Sequence, residues 1–355
     1  MAAIWSVHSE RYITKKLMND TLRSALETFI ASAAVAQRVD IKETQMLAGG
    51  AVQENWLIRA EISGGSYAGP LDMVVRTDSP SGGVSASHNR AEEFALLKAA
   101  FAAGVTVPEP LWLCAEKEVI GRPFFIMRRI NGTAAGHLLV KDNRYGGDRI
   151  KLTQRLGTEL ARIHSIQPPR EDLPFLEWYS EAPAIHAIAR FRQYLDSHRI
   201  PYPTLEWGIR WLERNAPERG DIVLSHRDYR TGNYMVDENG LTGILDWEFS
   251  GWGDPLEDIG WFCAKCWGFG AIANVAGGIG AVEDFLRGYE QESGRRVNRE
   301  LIRYWQVMAH TAWAIIAIQQ AERHVSGEEN SLMLALTGHI VPELEYEILT
   351  LIEAA

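Results

Sequence analysis

The sequence predicts an α+β chain of two lobes, a small antiparallel sheet with one main helix followed by a larger and mostly helical part. Strand-like segments crowd into the first third, and long helical patterns dominate from Asp148 onward. The length of 355 residues, with 46% apolar and 23% charged residues, suits two lobes that each bury a core. The change of character falls near residue 130, so residues 1–130 read as one lobe and 131–355 as the other.

Taken in order, Lys15 to Ala36 reads as an amphipathic helix. Strands are expected at Thr44 to Leu47 and Gln53 to Glu61, joined around Gly49-Gly50, and a third at Leu71 to Thr77. A Ser- and Gly-rich loop precedes a helix over Arg90 to Ala103, with Phe94, Leu97 and Phe101 on one face until Val-Pro-Glu-Pro stops it. Two more strands follow near Leu111 to Ala115 and Phe124 to Ile130, before Asn131-Gly132 breaks the pattern. Helical periodicity then covers about 149–166, 184–197, 204–215, 279–292, 297–322 and 331–353. Short β-like pieces interrupt it at Ile222 to Leu224, Tyr234 to Val236 and Thr242 to Leu245.

With 36 basic and 46 acidic residues the formal charge is −10, a poor basis for nucleic-acid binding, which needs clustered Lys and Arg. No leader pattern is visible at the N-terminus and no apolar run is long enough for a membrane span, so neither is expected. Three cysteines are too few for a disulfide framework, and a cytoplasmic location is the default. Cys263 and Cys266 read as small apolar residues of a buried helix, since a zinc half-site would need a second pair.

The chemistry concentrates in Ser225 to Trp261. His226-Arg227-Asp228 is followed by Asn233 and then by Asp246 at the end of a short strand. Phosphoryl transfer asks little covalent chemistry of a protein; it asks for positioned charge. Asp228 fits a carboxylate that faces an attacking hydroxyl. Asn233 and Asp246 fit oxygen ligands for Mg²⁺, which prefers hard carboxylate, amide and water oxygens. A β-hairpin between them would bring the two side chains together.

This segment resembles the catalytic core of the aminoglycoside phosphotransferase and choline kinase-like family, within the wider protein-kinase-like fold. The resemblance covers roughly Thr44 to Trp267. Gly253-Asp254-Pro255 and Asp258 match a Gly-Asp-Pro stretch and a later Asp of that family, which implies that Asp258 is structural, opening a helix and bonding the catalytic-loop backbone. The resemblance implies that His226 braces the loop, and that Glu248 is an auxiliary metal ligand or a salt-bridged structural carboxylate. It also implies a phosphate-covering turn at Gly49 and Gly50, a phosphate-binding cation on the third strand at Arg76, and a Glu partner at Glu93 in preference to Glu92. Met127, Arg128 and Ile130 would form the adenine-binding approach to the hinge. Arg76 departs from the Lys commonest in the family, and the two cations are not interchangeable.

The implied activity is Mg²⁺-dependent transfer of the γ-phosphate of ATP (or GTP) to a hydroxyl of a small molecule, with no nucleic-acid or membrane partner. A pseudokinase-like nucleotide-binding module is the alternative. A protein kinase is disfavoured because only eleven residues separate Asp246 from Asp258, leaving no platform for a peptide. Twelve Trp residues read mainly as core, with a minority able to line an aromatic acceptor pocket that stacks a ring or holds an ammonium. Glu171, Asp172, Glu177 and Glu181 are either an acidic acceptor pocket or a solvated loop.

Overall fold

The computed structural model describes residues 18–47, 53–78, 87–198 and 200–354. The Gly49–Gly50 turn therefore lies outside the described residues, as do the first residues of the expected N-terminal helix. That helix, α1 (Asp20–Ala33), starts where the Asn19 side chain accepts the Leu22 amide at 2.8 Å.

Five strands follow: β1 (Arg38–Met46), β2 (Gln53–Ser63), β3 (Gly69–Asp78), β4 (Pro110–Cys114) and β5 (Phe124–Arg128). They form one antiparallel sheet in the order β1-β2-β3-β5-β4. β1 begins six residues before the expected strand, because only Val39 and Ile41 of Arg38–Glu43 face the core and charged residues mask the alternation. One sheet face packs Ile41, Ile58, Met73 and Ile126 under Leu26 and Ile30 of α1. The other carries α2 (Arg90–Ala102), whose start is fixed by a capping box between Asn89 and Glu92.

The remainder is helical: α3 (Gly136–Lys141), α4 (Arg149–Ile163), α5 (Pro183–Asp196), α6 (Pro203–Arg214), α7 (Pro255–Phe262), α8 (Val282–Ser293), α9 (Arg299–Val325), α10 (Leu332–Gly338) and α11 (Val341–Glu353). The expected single helix over 331–353 is two helices, because the chain turns at His339 and restarts with Pro342 in the first turn of α11. α4 and α8 touch backbone to backbone, since a Cβ on Gly157 would sit 2.0 Å from the Phe285 carbonyl oxygen. Cys263 and Cys266 are not in one buried helix: Cys263 caps α7, and Cys266 lies half-buried in a short 3-10 turn, Lys265–Trp267. Among the described residues no helix is long and apolar enough to cross a membrane.

Two small ladders are set into the helical lobe. β6 (Val223–Ser225) pairs with β9 (Gly251–Gly253), and β7 (Tyr234–Val236) pairs with β8 (Leu241–Ile244). Below β5 the chain crosses between lobes, and Thr133 bridges Val236 through bonds of 2.8 and 3.0 Å. Gly243 on β8 lets the crossing close, because a Cβ there would lie 2.4 Å from Ile130 Cδ1.

Candidate active site

The loop between β6 and β7 carries His226, Arg227 and Asp228 in a shape that its own residues do not favour. Arg227 has φ 61°, a left-handed conformation costly for a residue with a side chain. The strain is held by Asp258 in the first turn of α7, whose Oδ2 and Oδ1 accept the His226 and Arg227 amides at 2.7 and 2.8 Å. Asp258 also meets His164, which caps the C-terminal end of α4, at 3.1 Å, and His164 Nδ1 lies 2.9 Å from the Tyr289 hydroxyl. Burial pushes the His164 imidazole below its usual range. Burial by itself would raise the Asp258 carboxyl, but the bonds from His164 and the His226 amide outweigh it and hold Asp258 low. His226 is a brace: Nε2 donates to the Leu245 carbonyl at 2.9 Å, which leaves Nδ1 to accept the Asp228 amide at 3.3 Å.

The Asp228 carboxylate is pinned from three sides. Oδ1 accepts Arg230 Nε at 2.9 Å and the Trp261 indole at 3.1 Å, and Oδ2 accepts the Asn233 amide. Asn233 Nδ2 also donates to the Asp228 carbonyl at 3.0 Å. These two acceptors fix the amide orientation and turn Asn233 Oδ1 away as an oxygen donor. The β7–β8 hairpin closes with the Leu245 amide on the Asn233 carbonyl at 2.8 Å, so Asn233 and Asp246 stand at the same end of the ladder. Asp246, like Arg227, is left-handed, with φ 62°.

Arg76 spans the two lobes. Its Nε faces Glu93 at 2.8 Å and its Nη2 faces Asp246 at 2.9 Å, so the planar fork gives each carboxylate its own nitrogen, where an ammonium would have to share one. Glu93 is buried and also pairs with Arg90, which in turn meets Asp78 at 3.0 Å. Glu92, one position earlier, is spent on the capping box. Glu248 accepts the Gln53 amide beside Arg76, and burial pushes its carboxyl up to about 7 despite that guanidinium. Three carboxylates (Asp78, Glu93 and Asp246) thus share the two guanidinium groups of Arg76 and Arg90, with the Glu248 carboxyl beside them. That surplus of negative charge, with the free Asn233 oxygen, is a donor set suited to a divalent cation. Among the described residues no three His, Cys, Asp or Glu side chains are placed to cage a metal unaided. Mg²⁺ does not need such a cage, since it keeps water and phosphate ligands.

At the hinge, the Arg128 amide donates to Glu109 at 2.9 Å and the Arg129 amide to Asp72 at 3.0 Å, so both are used within the sheet. The Arg128 side chain pairs with Glu109 at 2.6 Å, and Met127 is half-buried against the core shared by the two lobes.

Trp247, Trp252, Trp261, Trp267 and Trp305 are buried, whereas Trp178 and Trp207 are exposed. The acidic stretch is tied to its own loop: Asp172 pairs with Arg170 at 2.7 Å, and Glu177 with the Tyr179 hydroxyl. The roles of Arg230, Trp261, Gln53 and His164 are not expected from sequence. Trp261 had a readable signal, since it lies one helical turn after Asp258 on the same face. His164 and Gln53 had none.

A bilobal chain whose metal-type ligands, carboxylate and guanidinium meet between a five-stranded sheet and a helical lobe has the architecture of the small-molecule kinases. The comparisons with known proteins agree. Residues 43–301 match the phosphotransferase enzyme family (APH), and the chain belongs to that family. Its fold is shared with a Ralstonia eutropha protein provisionally named an aminoglycoside phosphotransferase (TM-score 0.69, 19% identity, 91% of this chain and 95% of that one). It is shared also with a choline/ethanolamine kinase family protein of Mesorhizobium loti (TM-score 0.57, 17% identity, 94% and 95%). A spectinomycin phosphotransferase crystallised with ADP and spectinomycin is similar as well (TM-score 0.58, 12% identity, 91% and 97%). Among curated proteins, mouse acyl-CoA dehydrogenase family member 10 is 26% identical over 77% of this chain and 26% of its own length. Chicken acyl-CoA dehydrogenase family member 11 is 30% identical over 49% of this chain and 22% of its own length. The chain therefore spans about a quarter of the length of the curated relatives it matches.

Proposed function

We propose that this chain is a magnesium-dependent small-molecule kinase that transfers the γ-phosphate of ATP (or GTP) to a hydroxyl group. The observation that carries this reading is the meeting of Asp228, Asn233 and Asp246 at one end of the β7–β8 hairpin, with Arg76 reaching them from the other lobe. Asp228 orients the acceptor hydroxyl and takes its proton as the new O–P bond forms and the bond from the γ-phosphorus to the β-phosphate oxygen breaks, releasing ADP. Arg76, held by Glu93, steers phosphate oxygens. Asn233 and Asp246 are the residues that hold Mg²⁺, with Glu248 beside them; the bound ion supplies neutralisation of phosphate charge. The Arg128 carbonyl and the Ile130 amide read the adenine edge and Met127 flanks the ring, because the Arg128 and Arg129 amides are engaged elsewhere. The hinge near residue 130 divides residues 1–130, the nucleotide lobe, from 131–355, the catalytic and acceptor lobe.

β9 and α7 follow Asp246 directly, which supports a small acceptor over a peptide. The three cysteines are free, in keeping with a cytoplasmic location. The test is ADP release from Mg-ATP and Mg-GTP across a panel of hydroxyl compounds, including amino alcohols, aminoglycosides and, given the names of the curated relatives, hydroxyacyl-CoA thioesters. Turnover should require Mg²⁺ and vanish in Asp228→Ala while nucleotide binding, read as a thermal shift, persists. Unchanged turnover in that variant would sink the assignment and favour a nucleotide-binding module without chemistry.

A further inference from the structure

The kinase reading leaves open which side of the charge scale its acceptor falls on, and the surroundings of Asp228 bear on that. Arg230 lies two residues past Asp228 on the same loop. Its Nε donates to Asp228 Oδ1 at 2.9 Å, and its guanidinium carbon sits 4.6 Å from the centroid of the Trp267 ring. Trp267 is itself wedged between Trp261 and Trp313, at 5.3 and 4.9 Å between ring centroids. The guanidinium is thus held by a stack on one side and a charge-assisted bond on the other, so its plane is set before any ligand arrives. Nη1 reaches the Thr231 carbonyl at 3.4 Å, and Nη2 makes no bond to any described residue. The side chain is one quarter exposed, so part of it is open to solvent.

Two consequences follow. The aromatic face beside Asp228 that would best receive an ammonium group is already covered by the chain's own cation. A positively charged group brought to the same place meets Arg230 instead of an open ring, and like charges close together repel. On the neighbouring α11, the buried Glu347 is already paired with Lys265, and Glu343 in the first turn is exposed, where solvent screens it. A free, pre-oriented guanidinium edge is in contrast a ready partner for a planar or tetrahedral oxyanion.

We propose that the acceptor is an anionic hydroxyl compound, bearing a carboxylate or phosphate, and that Arg230 is the residue that selects it. This rests on the kinase reading and adds the acceptor class to it. The anionic group meets Nη2 while the hydroxyl meets Asp228, so Arg230 fixes the distance between the two groups on the substrate.

The test uses the full chain with Mg-ATP and a library of hydroxyl compounds sorted by charge. Four three-carbon members anchor it: glycerate, glycerol 3-phosphate, glycerol and 3-amino-1,2-propanediol, which carry a terminal carboxylate, phosphate, hydroxyl or ammonium group. The best anionic acceptors should exceed their neutral counterparts in kcat/KM by roughly ten- to hundredfold, the range of one charge-assisted bond, with ammonium compounds poorest. Which anion wins separates the carboxylate source from the phosphate source. Because Arg230 also touches Asp228, the readout for Arg230→Gln is a ratio. The anionic-to-neutral preference should collapse towards one, and Arg230→Lys should restore part of it. A preference for neutral or cationic acceptors, or a ratio untouched by Arg230→Gln, overturns the inference. In that case loss of the same turnover in Asp228→Ala leaves the kinase reading standing. Failure of the whole library on folded, nucleotide-bound protein overturns both.

Discussion

The two halves of the site are built on opposite plans. On the helical side, the loop from β6 to β7, the hairpin and the opening turn of α7 come from one continuous stretch, and their bonds join residues only a few positions to a few tens of positions apart. On the sheet side, Arg76 meets a partner 170 positions away in Asp246, and Gln53 meets Glu248 195 positions away. The first plan needs only one stretch of chain. The second needs both lobes in place.

Substitutions can break this contrast in order of expected size. Asp228→Ala removes the carboxylate from a frame that Asp258 and the hairpin still hold, so turnover should fall by about 10²–10⁴, against a stability loss of about 1–3 kcal/mol from the donors left unpaired. If stability falls as steeply as turnover, Asp228 is part of the frame. Arg76→Ala removes the shared partner of Glu93 and Asp246, and a broken buried ion pair costs about 3–5 kcal/mol. Arg76→Lys should recover only part of that loss in a denaturant titration; full recovery would mean that the two-way fork is dispensable. Asp258→Asn leaves one of two buried loop amides without its acceptor, a cost of about 1–3 kcal/mol. It should also slow turnover by releasing Arg227 from its strained conformation.

The smallest effect is in the acid limb. Burial lowers His164, so the unfolded chain takes up that proton first, and stability drops as pH falls through the ordinary histidine range near about 6.5. Asp258, also held low, keeps its contribution above the ordinary carboxylate range and loses it only as pH falls through its own lower value. His164→Gln should therefore flatten the stability curve as pH falls through the ordinary histidine range. A curve parallel to that of the unaltered chain would show that His164 does not titrate with folding.

Much of this was legible in the chain itself. Asp228, Asn233 and Asp246 were readable because their spacing is local and each residue type has a narrow chemical use. The strands from Gln53 to Ile130 were readable because apolar runs there are bounded by Gly, Pro and Asn. β1 was half-legible, since charged residues cover its outer face. The break between α10 and α11 was missed because the apolar pattern runs on through it while the backbone turns.

Sequence alone determined the fold class and the family, since each depends on short-range pattern and on residue types that few other roles require. Tertiary structure decided which Glu faces Arg76, that Arg230 and Trp261 share the Asp228 oxygen, and that a ring suited to a cation is already covered by one. Those are contacts between side chains whose directions are set only when separate elements pack, and spacing along a chain carries no record of direction across a cleft.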